Sequence, residues 1–283
     1  MSRLLVSTFI RMLKKVIFWF FVLCMFAYGV YTALNIASEA RIGFVLDRCL
    51  FECLPLMGLI SAIFTSLFIG SEYSDGTIRN KIIVGHSRIR IYLANLIVCA
   101  IASVLISLSY TVGVFVIGNM NGGELITETA TIFLCMISSL MISITFASIM
   151  TLLAILNTNK AGNVVVSMIL ALVLLVSGSF IHQKLGEPKL YDNYVTVNEM
   201  GIPTQVEQLP NPQYIEGTPR IVLEVLSDLL PSGQAIQLAD AFDTEGMTDE
   251  SIANVPYRWM EYSLLVQHQV HLAVSYSEIV TQI

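Results

Sequence analysis

Five apolar runs, separated by short polar or turn-forming stretches, set the plan of the chain. Val16 to about Ala37, Cys53 to Ile69, Ile91 to Ile117, Thr127 to Leu156 and Asn163 to Ile181 each suit a membrane-crossing helix, which needs roughly 17–25 predominantly apolar residues. None shows the strict alternation of a barrel strand. A sixth run begins near Tyr257 and passes through Trp259, Met260, Tyr262 and Leu264 to Val266, where Gln267, His268, Gln269 and His271 interrupt it. The pattern predicts an all-α fold: a polytopic membrane helical bundle with about six transmembrane helices, forming a single domain over residues 1–283.

The polar stretches between the runs carry their own patterns. In residues 1–15, Leu5, Phe9, Met12 and Val16 share a helical face while Arg3, Ser7, Arg11, Lys14 and Lys15 fall mainly on the other. That spacing fits an amphipathic helix on the membrane surface, or simply a positive flank that orients the first span. The apolar run from Val16 is too long for a signal-peptide core and has no convincing cleavage site, so it is expected to stay as an anchor. Residues 182–256 are acidic and rich in proline. Within them, Arg220 to about Phe242 has helical spacing broken at Pro231-Ser232-Gly233, which predicts a helix-break-helix pair lying on the membrane face or dipping into it. The fourth run carries Ser138, Ser139, Ser143, Thr145, Ser148 and Thr151, predicting close helix approach and cross-helix hydrogen bonds, or a lining for a substrate.

Composition agrees with lipid as the solvent. Hydrophobic residues make up 55% of the chain, charged residues 13%, and the mean hydropathy is +0.73, whereas soluble domains carry about 25% charged residues. A net charge of -6 argues against a nucleic-acid partner, which would need a clustered basic face. Arg3, Arg11, Lys14, Lys15, Arg79, Lys81, Arg88, Arg90 and Lys160 fall on one side of the predicted spans, and only Arg41 and Arg48 lie in the short loops of the other. The positive-inside rule then places the N-terminus and residues 72–90 in the cytoplasm, and 182–256 outside. The five cysteines lie in or beside apolar runs without metal spacing and read as core residues.

Motifs for chemistry are sparse. The chain has neither a GxxxxGK[ST] phosphate loop nor HExxH, so no nucleotide, metal or other cofactor is expected on it. His268 and His271 are spaced i, i+3 but have no third ligand. Ser177-Gly178-Ser179 near His182 could belong to an intramembrane hydrolase, yet small-residue helix packing explains it better. The informative polar island is Gly70 to Arg90. Ser74 or Asp75 can cap a helix start, Gly76 permits a turn, and Thr77 to Val84 supply about two turns with Ile78 and Ile82 on one face. Gly85 can stop that helix and Ser87 can start the next. Such an element is either a lever pushed by a cytoplasmic partner or a solvated loop that enforces topology.

Phe68-Ile69-Gly70-Ser71-Glu72-Tyr73-Ser74-Asp75-Gly76-Thr77-Ile78-Arg79-Asn80-Lys81, then Gly85-His86-Ser87-Arg88 and Tyr92, resembles the segment after the second span of ABC-2 type permeases from bacterial ABC exporters. Asn211-Pro212-Gln213-Tyr214, Gly217, Arg220 and Asp228 to Gln234 are similar to the same family's outer segment. The resemblance implies a non-enzymatic permease in the bacterial cytoplasmic membrane, paired with a second permease protomer and driven by a separate ATP-binding cassette ATPase through alternating access. It further implies that 72–90 is a coupling loop in which Glu72, Asp75, Thr77, Ile78, Arg79, Asn80, Lys81, Gly85, Ser87 and Arg88 contact the ATPase. The pair around Pro231 corresponds to the family's re-entrant element. The sequence departs from the family at its end, where a shifted reading frame from Gln267 onward is expected. A membrane sensor or scaffold that recruits a cytoplasmic protein through the same island is the competing expectation.

Overall fold

A single segment crosses lipid only if its backbone hydrogen bonds close within it, and that requirement makes each apolar run a helix. The computed structural model describes residues 2–39, 45–127, 129–157, 159–189, 195–197, 203–205 and 210–242. Nearly all of them fall in one compact unit, Met1–Ala239, while Asp240–Ile283 form a second. The helices are α1 (Ser2–Lys14), α2 (Val16–Glu39), α3 (Leu54–Ser74), α4 (Thr77–Ile83), α5 (Arg88–Met120), α6 (Thr129–Leu156), α7 (Lys160–Gly186), α8 (Thr218–Leu229) and α9 (Pro231–Asp240). A short antiparallel hairpin pairs β1 (Val195–Val197) with β2 (Pro203–Gln205). Among the described residues, five segments are long and apolar enough to span a membrane: α2, α3 with the short turn before it, α5, α6 and α7. The predicted sixth run, the His268/His271 pair and the residues assigned to a shifted frame lie outside the described residues.

In the bundle α3 packs on α6 and α7, and α5 packs on α2, α6 and α1. Small residues set how closely these helices approach. Gly29 of α2 lies against the Tyr110 carbonyl and Gly113 of α5 against the Phe26 carbonyl, while Gly58 of α3 receives the ring of Phe146. Ser61 and Ser103 hydroxyls meet at 3.1 Å, and Ser103 also donates to the Ser143 carbonyl, tying α3, α5 and α6 together. Five of the six α6 hydroxyls singled out from sequence behave differently from the cross-helix bonding expected of them, while Thr151 meets the Cys99 thiol of α5. Ser138, Ser139, Ser143, Thr145 and Ser148 each donate to a carbonyl of their own helix, because the nearest acceptor away from water is the carbonyl one turn back.

The end of the bundle away from α4 is closed by side chain to backbone bonds. Asp47, only 4% exposed, accepts from the Ile126 and Thr127 amides at 3.2 and 2.7 Å. Tyr110 donates to the Cys49 carbonyl at 2.6 Å and its hydroxyl also meets Thr32. Tyr110→Phe would strand a buried carbonyl, a loss of about 1–3 kcal/mol that should appear as a lower melting temperature in detergent without loss of membrane insertion.

The predicted helix-break-helix forms α8 and α9. Arg220 near the start of α8 reaches the Leu185 carbonyl at the end of α7, and after the break Ser232 and Ile236 pack on Gly178. Gly178 lies about 12 Å inward from the Gly186 end of α7 at 1.5 Å per residue. The pair therefore descends along α7 and turns back, with Gly233 tight against the Ser227 backbone. The same contacts account for Ser177-Gly178-Ser179: the Ser177 hydroxyl donates to the Leu174 carbonyl, and Gly178 makes room for Ser232.

Candidate functional site

The polar island folds into a turn, a short helix and a turn. Helix α3 runs on through Ser74, past the predicted end at Ile69, because Ser71 and Ser74 bond to the Phe68 and Ser71 carbonyls and their polarity is absorbed by the helix itself. Asp75 consequently caps the C-terminus of α3 instead of opening α4, whose N-cap is Gly76 in the left-handed region, φ 65°. At the other end Gly85, φ 94°, donates to the Ile82 carbonyl while His86 donates to that of Lys81. That is the Schellman pattern that terminates a helix on a glycine. Ser87 then caps α5, accepting from the Arg90 amide.

Beneath α4 lies a buried charge cluster. The Lys81 ammonium donates to both Glu72 oxygens, at 3.2 and 2.9 Å, and to the Thr8 hydroxyl at 3.2 Å. Arg11 forms a second ion pair with Glu72. Glu72 is 3% exposed and Lys81 8%. Burial lowers the Lys81 pKa from the ordinary lysine value, and the charge of Glu72 offsets part of that shift. Helices α1, α3 and α4 are thereby fastened at one carboxylate. On the rim, Lys15 approaches Asp75 at 3.6 Å across a groove of about 250 Å³ lined by Arg11, Lys14, Phe68 and Thr77 among others. Tyr73 donates to the Ile155 carbonyl at 2.9 Å, bracing the same end of α3 against α6.

The buried stripe of α1 is Leu4, Thr8 and Met12, not the Leu5, Phe9 and Met12 face expected from hydrophobicity. Thr8 displaces an apolar neighbour because it is a ligand of Lys81. This helix packs on α5, with Leu4 against Ile91 and Ala94, so it belongs to the bundle at its α4 end.

The residues singled out from sequence separate into two sets. Glu72 and Lys81 point inward and hold the element; Thr77 and Ile78 are half-buried; Asp75, Arg79, Asn80, Gly85, Ser87 and Arg88 are exposed. Beside the exposed set stands an apolar patch, Ile82 at 42%, Ile83 at 71%, Val84 at 75% and, opening α5, Ile89 at 71%, of which sequence reasoning singled out only Ile82. Three successive apolar residues in a helix with 100° between neighbours spread over too wide an arc to be buried together on one face, and that spacing was a usable signal. Thr8 and Arg11 were also missed, since their partners lie far along the chain.

No curated protein and no solved structure matches the chain. A family profile described as ABC-2 family transporter protein matches residues 7–178. The match takes in the second half of α1, α2 through α6 and most of α7, including the whole α3–α4–α5 turn and its charge cluster. Covering more than half of the sequence, and joined to five membrane-spanning helices, it establishes that the chain belongs to the ABC-2 transporter family, as a membrane permease component of an ABC transporter.

Proposed function

We propose that the chain is the membrane-spanning subunit of an ATP-driven exporter of the bacterial cytoplasmic membrane, with its N-terminus in the cytoplasm, and that a separate ATPase docks on α4. The observation that carries the reading is the mounting of α4. Its outer side offers Arg79, Asn80, Ile82, Ile83 and Val84 to a partner, while its inner side is fixed to α1 and α3 through Lys81, Glu72 and Arg11. Apolar side chains ringed by polar ones suit an interface whose centre is desolvated and whose rim is wet.

A rigid mounting also supplies the mechanics. Work done on α4 by closure of two ATPase subunits passes directly into α3 and α1, and alternating access requires such an element to have different contacts in two states. A second permease protomer completes the transporter, and lipid surrounds it. Glu72 and Lys81 take part by positioning the docking surface, and the contact itself falls to the exposed residues.

The test is co-purification with the ATPase. Arg79→Glu combined with Ile83→Asp is expected to abolish the complex while the protein inserts and melts as the parent does, since both side chains are exposed. Undiminished ATPase binding by this variant would refute the docking site.

A further inference from the structure

The groove between α1 and the α3–α4 turn carries more positive charge than its own carboxylates balance. Arg11, Lys14 and Lys15 line it together with Phe68, Asp75 and Thr77, and Glu72 lies at its edge. Lys81 reaches Glu72 from α4, so two carboxylates answer to four cations. Lys15 approaches Asp75 only to 3.6 Å, with the two side chains 40% and 59% exposed, and a solvated pair of this kind exchanges easily for a better anion. Lys14 is exposed and, among the described residues, forms no ion pair.

The groove opens where the chain enters the membrane. Lys15 is the single residue between α1 and the first span, α2. Trp19, one turn into α2 and 56% exposed, donates its indole N–H to the Leu13 carbonyl at 2.8 Å, an amphipathic ring at headgroup depth next to Lys14 and Lys15. Val16, Phe20 and Leu23 continue from Lys15 as an exposed apolar stripe along α2. On α1, Arg3, Val6, Ile10 and Lys14 share one exposed stripe of mixed cationic and apolar character, the composition of a helix lying in the interface.

We propose that this groove binds the phosphodiester of an anionic phospholipid, whose acyl chains run along α2. The charge balance selects an anion, and the depth selects one carried by a lipid. At about 250 Å³ the groove is smaller than the roughly 300–1,000 Å³ pockets that enclose whole small molecules, and it suits a headgroup whose remainder stays in the bilayer. A zwitterionic headgroup would bring its own ammonium against Lys14 and Lys15, whereas a glycerol headgroup adds no cation. The phosphate takes Lys15 from Asp75, the residue that caps α3. Asp75 is therefore a competitor built into the site.

Native mass spectrometry of the full-length protein in detergent, titrated with phosphatidylglycerol or phosphatidylcholine, reads the site directly. One equivalent of phosphatidylglycerol should stay bound in preference to phosphatidylcholine. Lys14→Gln with Lys15→Gln should weaken that binding about tenfold or more, since each cation near the surface contributes about a factor of five. Both side chains are solvent-accessible, so this variant should melt as the parent does when no lipid is added. Arg3→Gln, about 16 Å from Lys14 along α1, should leave binding unchanged, and Asp75→Asn should strengthen it. Millimolar inorganic phosphate should not displace the lipid. Equal retention of the two lipids, a double variant that binds like the parent, an Arg3→Gln loss as large as the double variant's, an Asp75→Asn protein that binds no better, or displacement by inorganic phosphate would each overturn the proposal. None of these readouts involves the ATPase.

Discussion

Glu72→Ala is expected to loosen α1 and α4 from the bundle and to be the most damaging single change in the α4 region. The substitution leaves Lys81, 8% exposed, as a buried charge with only the Thr8 hydroxyl beside it, and frees Arg11. Breaking a buried ion pair from one side costs about 3–5 kcal/mol, or on the order of 10 °C in melting temperature for a chain of this size. On the docking proposed above, co-purification with the ATPase should fall in step, because α4 loses its mounting. Removing both charges has a different outcome. Glu72→Leu with Lys81→Met replaces the pair by apolar volume, and such exchanges are commonly neutral or stabilising. Thermal scans of the two variants should separate them clearly. A Glu72→Ala protein that melts like the parent would mean that Lys81 finds water the buried geometry does not provide.

Gly29→Leu and Gly113→Leu should each prevent α2 from seating on α5. A Cβ on Gly29 would overlap the Tyr110 carbonyl, and one on Gly113 would overlap that of Phe26. The obstruction is backbone in both cases, so no rotamer change relieves it and the helices must separate. Overpacking among movable side chains costs about 1–3 kcal/mol; here the loss of close approach removes the packing that joins helices in lipid. The expected result is protein that inserts yet elutes as aggregate in size-exclusion chromatography. Gly162→Leu serves as the control, since its nearest neighbours stand at 3.7 Å. Monodisperse Gly113→Leu protein would show that α2 and α5 are not in backbone contact.

The spans were legible because lipid imposes a length and a composition, and both are local. Gly76, Gly85 and Ser87 were legible for a similar reason: a positive φ or a side-chain cap is decided by a few neighbouring residues. Asp75 was misread as a helix start because Ser71 and Ser74 look like an exit from the membrane, when they satisfy their own hydroxyls on the helix. Glu72 and Lys81 were read as partner contacts, since a charged residue in a polar island is ordinarily solvated. Their burial depends on Thr8 and Arg11, 73 and 61 residues away in sequence, a separation that no local pattern encodes. The exposed Ile83 and Val84 are the converse case, apolar residues turned outward by the short helix that the two glycines delimit.

The cluster at Glu72 bears also on how the chain is made. Arg11 precedes α2 and Lys81 follows α3, so all three charges can meet only when α2 and α3 have crossed the bilayer in opposite senses. If α3 failed to cross, Glu72 and Lys81 would both remain on the wrong face, and Arg11 would be left without its anion at the start of the first helix. Closure of the cluster therefore depends on the first hairpin having crossed and returned, so that one carboxylate ties the charge pairing of the chain to its topology.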